Sequence, residues 1–118
     1  MDVASRERAE SFTTLDGSSL RVLVDANAGG AVQQSLAEAE LAAGQATRRH
    51  YRAETEEIYV LLEGAAELEV EGERSAVGPG DAILVPAGAR HRIEAGEEGV
   101  RFLCCCAPPY ADGDTFFD

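Results

Sequence analysis

The chain has 118 residues, a length that suits one domain burying about two-thirds of the surface its unfolded form would expose. An apolar share of 45% beside 27% charged residues fits a folded globular chain and argues against disorder. Twenty-two acidic residues against ten basic ones give a formal charge of −12, which repels nucleic acid and anionic membranes alike.

The N-terminal segment, residues 1–11, carries Arg6, Glu7, Arg8 and Glu10 and no apolar run. Neither a signal peptide nor a membrane helix is expected there, a short helix is, and the cytoplasm is the expected compartment. Asp16-Gly17-Ser18-Ser19 reads as a turn before a strand over residues 20–24, and residues 27–30 as a loop before a strand over residues 32–41. Residues 58–62 are uniformly apolar, which predicts a strand covered on both faces and ending in a turn at Gly64. In Ala66-Glu67-Leu68-Glu69-Val70-Glu71 apolar and acidic residues alternate, which predicts a strand with Leu68 and Val70 inward and the glutamates in water.

Glu71-Gly72-Glu73 reads as a hairpin turn, residues 78–81 as a corner, residues 82–85 as a short strand, and Pro86-Ala87-Gly88 as another turn. His91, Ile93 and Ala95 then share an inward face, residues 96–99 turn the chain, and a strand over residues 100–106 points Val100, Phe102, Cys104 and Cys106 inward. Pro108-Pro109 ends it, and residues 111–118 form an arm. About eight short strands with regular turns and no helical period predict an all-β chain, residues 1–118 forming a single domain of barrel or jelly-roll type.

The chain has two histidines, His50 and His91, and with Glu57 they offer two imidazoles and a carboxylate from neighbouring strands. Such a set holds a divalent metal on one side and leaves positions open for water or substrate. Three cysteines stand in a row at Cys104, Cys105 and Cys106; alternation splits them between two faces, so they predict free thiols rather than a disulfide. Cys104 and Cys106 serve either as small apolar filler or as a soft ligand or reactive thiol near His91.

Gly44, His50, Glu57 and Gly64, followed by Gly80, Pro86, Gly88 and His91, resemble the two sequence motifs of the cupin superfamily at eight positions over about forty-eight residues. Thr55-Glu56-Glu57-Ile58-Tyr59-Val60-Leu61 is similar to the family's wording of one strand, and the likeness to small single-domain cupins of mannose-6-phosphate-isomerase-like type runs through roughly residues 12–118. The resemblance implies a small antiparallel β-barrel of jelly-roll type, a homodimer, a small-molecule ligand, and a divalent iron, manganese, nickel, copper or zinc ion on His50, Glu57 and His91. It leaves the reaction open among oxygenase, isomerase and cyclase types, and leaves a metal-free binding protein open as well.

The chain departs from the motif at Arg52, which stands where a further histidine ligand is expected, and at Ala95. A guanidinium there repels a cation unless it pairs with a carboxylate, Glu57 being nearest by sequence logic, or it receives an anionic substrate group, or it lies at the solvent rim. Tyr59, Phe102 and Cys104 share the inward register and join Arg52 as candidates for the ligand cavity.

Overall fold

The computed structural model describes residues 1–118, and every regular element in it but one short 3-10 turn is a strand: β1 (Ser11–Thr13), β2 (Ser19–Val24), β3 (Ser35–Leu41), β4 (Tyr51–Arg52), β5 (Glu56–Val70), β6 (Glu73–Val77), β7 (Ala82–Val85), β8 (His91–Ala107) and β9 (Thr115–Phe116). The main sheet runs β1-β2-β3-β8-β5-β6, with β7 also on β5, and all its pairings are antiparallel. This is the expected antiparallel fold of jelly-roll type.

The two long strands, β5 and β8, organise it. They pair from Glu56 opposite Ala107 to Val70 opposite His91. The first half of β5 lies between β7 and the end of β8, whereas its second half lies between β6 and the start of β8. Between the halves the inward parity switches: Glu57, Tyr59 and Leu61 are buried before the irregularity, Ala66 and Leu68 after it. In β8 the switch runs from His91, Ile93 and Ala95 to Val100, Phe102, Cys104 and Cys106.

Residues 96–99, expected as a turn between strands, are instead a bulge set against Ala65 alone, between the pairs Ala66–Ala95 and Gly64–Val100. Gly64 is likewise a bend within β5 rather than its end. A Cβ added at Gly64 would lie 2.0 Å from the Gly99 carbonyl oxygen, and one at Gly99 would lie 2.8 Å from the Leu41 carbonyl oxygen. Three backbones therefore meet where the sheet folds over, which only residues without a side chain permit.

Four local expectations need correction. The strand over 58–62 is covered on one face only, with Ile58 42% exposed, because nothing packs outside β5 and β7. The strand expected from residue 32 begins at Ser35. Residues 6–9 form turns on the Ser5 carbonyl rather than a helix, because they are fixed from outside: Arg6 pairs with the buried Glu38 at 2.6 Å, and Arg21 donates to the Ala9 carbonyl. In the alternating stretch Glu67 is exposed and Leu68 buried, but Glu69 and Val70 are half-buried, Glu69 because Arg49 and Arg74 pair with it.

We expect Gly64→Ala to destabilise the protein well beyond the about 1–2 kcal/mol that a left-handed backbone costs an alanine. Gly80→Ala, where φ is also positive but the space is open, should cost only that amount, and chemical denaturation of the two variants measures the difference.

Candidate functional site

Each candidate residue is placed by a strand or by the turn leading into one. His50 and His91 exchange backbone hydrogen bonds, His50 N–H to the His91 carbonyl at 3.1 Å and the reverse at 2.8 Å, so their rings lie 4.2 Å apart. Each ring is oriented through Nδ1, which donates to the Arg48 carbonyl at 2.7 Å in His50 and to the Ala89 carbonyl at 3.0 Å in His91. In the neutral form of either ring that fixes the tautomer and leaves Nε2 as the acceptor. Both Nε2 atoms are buried, and neither has a hydrogen-bond partner.

Glu57 stands beside them on β5, 1% exposed. The donor atoms of His50, Glu57 and His91 all lie within 4.8 Å of one another. Glu57 Oε1 is 3.3 Å from His91 Nε2, close to the about 3.4 Å that separates two ligands of a tetrahedral ion at about 2.1 Å each. A neutral imidazole turns a lone pair toward this carboxylate, so a proton or a cation between them is what makes the approach favourable. On donor chemistry and on these two orphaned nitrogens, the set fits a divalent transition metal.

Arg52 complicates it. Its guanidinium is buried, not at the rim, and its Nε donates to the same Glu57 oxygen at 2.9 Å. Nη1 donates to Thr115 Oγ1, and the guanidinium lies 4.7 Å from the centre of the Tyr110 ring. The other Glu57 oxygen accepts from Cys104 Sγ at 3.0 Å and from Cys106 Sγ at 3.7 Å. Burial pushes the Glu57 carboxyl up, but a hydrogen bond from His91, made when Nε2 carries a proton, the Arg52 guanidinium and the Cys104 hydrogen bond outweigh it and hold the group at about 2. Of these, the arginine's charge is the permanent one. Burial, with His91 beside it, pushes His50 down and so keeps that ring neutral.

Arg52, Tyr59, Phe102 and Cys104, the expected cavity residues, do line one cavity, together with Glu57 and Cys106. Tyr59 and Phe102 pack ring to ring at 4.8 Å on one wall. His50 and His91 are not among the residues that line it. Asp16, read from the sequence only as part of a turn, also lines the cavity: Thr14 Oγ1, Ser18 N–H and Ser18 Oγ hold one of its oxygens, while the other stands 3.6 Å from His50 Nε2. The arm is a further surprise. Asp114 accepts the backbone N–H groups of Ala53, Glu54 and Thr55, β9 pairs with β4, and Phe117 lies 6.0 Å from the His50 ring under Arg48. An Asp in a terminal segment carries no local signal of such a role; only the folded chain brings it to three free N–H groups.

The cupin-domain model matches residues 37–106, which is more than half of the chain and contains the whole donor set. The chain belongs to the cupin family. An uncharacterized protein of Methanocaldococcus jannaschii is 38% identical over 110 residues, 92% of this chain and 88% of that one. The tetracenomycin polyketide synthase protein TcmJ of Streptomyces glaucescens is 35% identical over 78 residues, 66% of this chain, and the match spans about half of TcmJ, 52%. Among solved structures, the polyketide cyclase RemF from Streptomyces resistomycificus superposes with a TM-score of 0.81 at 27% identity, covering 91% of this cupin and 79% of RemF.

The ionised Glu57 has a pH consequence for the metal-free cupin. Its folded value of about 2 lies below the ordinary 4.5, so the folded chain resists a proton that the unfolded chain accepts. The stability it contributes is present above about pH 4.5 and is lost as pH falls toward about 2. We expect Glu57→Gln, which strands the buried Arg52 charge, to cost about 3–5 kcal/mol at pH 7. The gap between the two proteins, measured by urea unfolding at a series of pH values, should narrow below pH 4.5; a constant gap would show that Glu57 is not the ionised partner.

Proposed function

We propose that this cupin is a small-molecule enzyme that holds one divalent transition metal (iron, manganese, nickel, copper or zinc) on His50, Glu57 and His91. The observation that carries the reading is the pair of buried, partnerless Nε2 atoms beside an ionised carboxylate. When bound, the ion supplies Lewis acidity toward a substrate oxygen. The rest of the work falls to the chain. Arg52 has N–H donors beyond those given to Glu57 and Thr115, and these orient an anionic or carbonyl oxygen entering the cavity. Tyr59 and Phe102 present an apolar wall to the substrate's carbon frame, and Phe117 and Tyr110 limit the access of water. Asp16, with one oxygen pinned and the other free, is the carboxylate placed to take a proton.

The reaction class we favour is proton removal beside a carbonyl, leading to isomerisation or ring closure. Support comes from the likeness to TcmJ and to RemF, a polyketide synthase protein and a polyketide cyclase, and from the cavity's mix of one cation, one free carboxylate and an apolar wall. A second reading rests on the 2.9 Å Arg52–Glu57 pair: in it Arg52 takes the place of the lost histidine ligand and the cavity binds a small molecule without metal.

Elemental analysis of protein purified without tag or chelator, followed by calorimetric titration with the metals named, separates the two readings. We expect His91→Ala to lower the bound metal by one equivalent and Cys105→Ser to leave it unchanged. Arg52→His should bind at least about tenfold tighter, because an imidazole ligand replaces a cation. No loss of metal in His91→Ala removes the metal reading; weaker binding by Arg52→His shows that the arginine supports the site rather than opposing it.

The cytoplasm is the compartment we assign, in keeping with three free thiols. We also infer a homodimer through the outer face of β7, β5, β8 and β3, where Leu84, Ile58, Cys105 and Leu36 form a continuous row across four paired strands and Leu84 is 53% exposed. Light scattering should give twice the chain mass for the native protein and a single chain mass for Ile58→Arg. A native monomer overturns this assignment.

A further inference from the structure

Two cysteines of β8 converge on the side of Glu57 that the histidines do not use. Because they are two residues apart in a strand, Cys104 and Cys106 point the same way, and Cys106 sits directly opposite Glu57 in the register. Their sulfurs lie 3.6 Å apart, and Glu57 Oε2 lies 3.0 Å from the first and 3.7 Å from the second. All three side chains are buried, and all three line the cavity. Two thiolates bound at about 2.3 Å to a tetrahedral ion stand about 3.8 Å apart, and a carboxylate oxygen in a third position stands at nearly the same separation. Two of the three separations therefore already suit a small tetrahedral cation, and the 3.0 Å Cys104–Glu57 contact has to lengthen by about 0.6 Å.

We propose that Cys104, Cys106 and Glu57 form a second, thiophilic site, which takes one divalent zinc-type cation and leaves its fourth position open to the cavity. Binding replaces the two thiol protons with two metal–sulfur bonds, and both protons leave to solvent, so no electrons are transferred. Charge decides between this site and the histidine pair. A divalent ion on His50, Glu57 and His91 shares its surroundings with Arg52 and Asp16, so the local charge is +2 from the ion, −1 from Glu57, −1 from Asp16 and +1 from Arg52, a surplus of one. Around the thiols the ion, Glu57, Arg52 and the two thiolates sum to zero. The arginine that burdens a cation on the histidines is thus balanced in the thiolate site, and the cost of burying net charge falls accordingly. Softness points the same way, since thiolate ligands select zinc-class ions over manganese or magnesium. This site goes beyond the histidine reading and does not depend on it.

Cobalt(II) titration of the fully reduced protein tests it, because thiolate ligation gives a charge-transfer absorption in the near ultraviolet that imidazole and carboxylate ligands do not. We expect the band to saturate at one equivalent in the native protein and to be displaced by zinc. It should persist in Cys105→Ser and in the double variant His50→Gln with His91→Gln. In the double variant Cys104→Ser with Cys106→Ser it should vanish, and zinc affinity measured against a chromophoric chelator should fall at least about tenfold. Circular dichroism checks that each variant is folded; should the double serine chain not fold, Cys106→Ala alone should cut the band by about half, one thiolate of two being lost, and an undiminished band would count against the site. A native protein without the band, a band that survives removal of both thiols, or a band lost with the histidines overturns the proposal. The last outcome would mean one mixed site, whereas failure of the histidine reading shows separately, as metal unchanged by His91→Ala.

Discussion

The buried carboxylate of Glu57 is the constraint around which this cupin is arranged. An ion that is 1% exposed persists only if its oxygens are met by donors or cations, and here each oxygen has its own set. One faces Arg52 and His91, the other the thiols of Cys104 and Cys106. Because Arg52 must itself be held in place, the requirement spreads outward: Thr115 accepts from it, Tyr110 lies against it, and the C-terminal segment that carries both is drawn over the site.

This placement depends on the bend shared by β5 and β8. A regular strand keeps one parity, so with His91, Ile93 and Ala95 inward an unbroken β8 would turn Cys104 and Cys106 outward. The bulges around Gly64 and at residues 96–99 reset the parity in both strands at the same level. His91 at one end of β8 and Cys104 and Cys106 at the other thereby all point inward, with Glu57 between them on β5. One pair of strands supplies nitrogen, oxygen and sulfur donors to a single interior, which two short hairpins would not achieve.

Arg52 changes the balance within that interior. In place of another neutral imidazole it brings a permanent charge that pairs with Glu57 at 2.9 Å, and so weakens the carboxylate as a ligand on that side. The same charge stabilises any anion nearby, whether substrate carboxylate or thiolate. A substitution that reads in sequence as the loss of a ligand is in the folded protein also the gain of a buried cation, faced by the carboxylate and by the two sulfurs.

The spacing of Gly44, His50, Glu57, Gly64, Gly80, Pro86, Gly88 and His91 was enough to read the family, the strand character and the three donors, because turns and two-residue alternation are local properties. Alternation also told the inward cysteines from the outward one, and Leu68 from Glu67. The bends were misread as ends: glycine clusters mark a bulge and a turn with the same residues, and only the backbones that meet at Gly64 and Gly99 distinguish them. The solvent-facing row at Ile58 was invisible for a similar reason, since uniform apolar sequence does not say what packs outside it. Asp16, Tyr110, Thr115 and the segment containing Asp114 belong to the site through contacts that span up to 63 residues of sequence. No local pattern encodes such contacts; they arise when a buried charge recruits whatever polar groups the fold brings within reach.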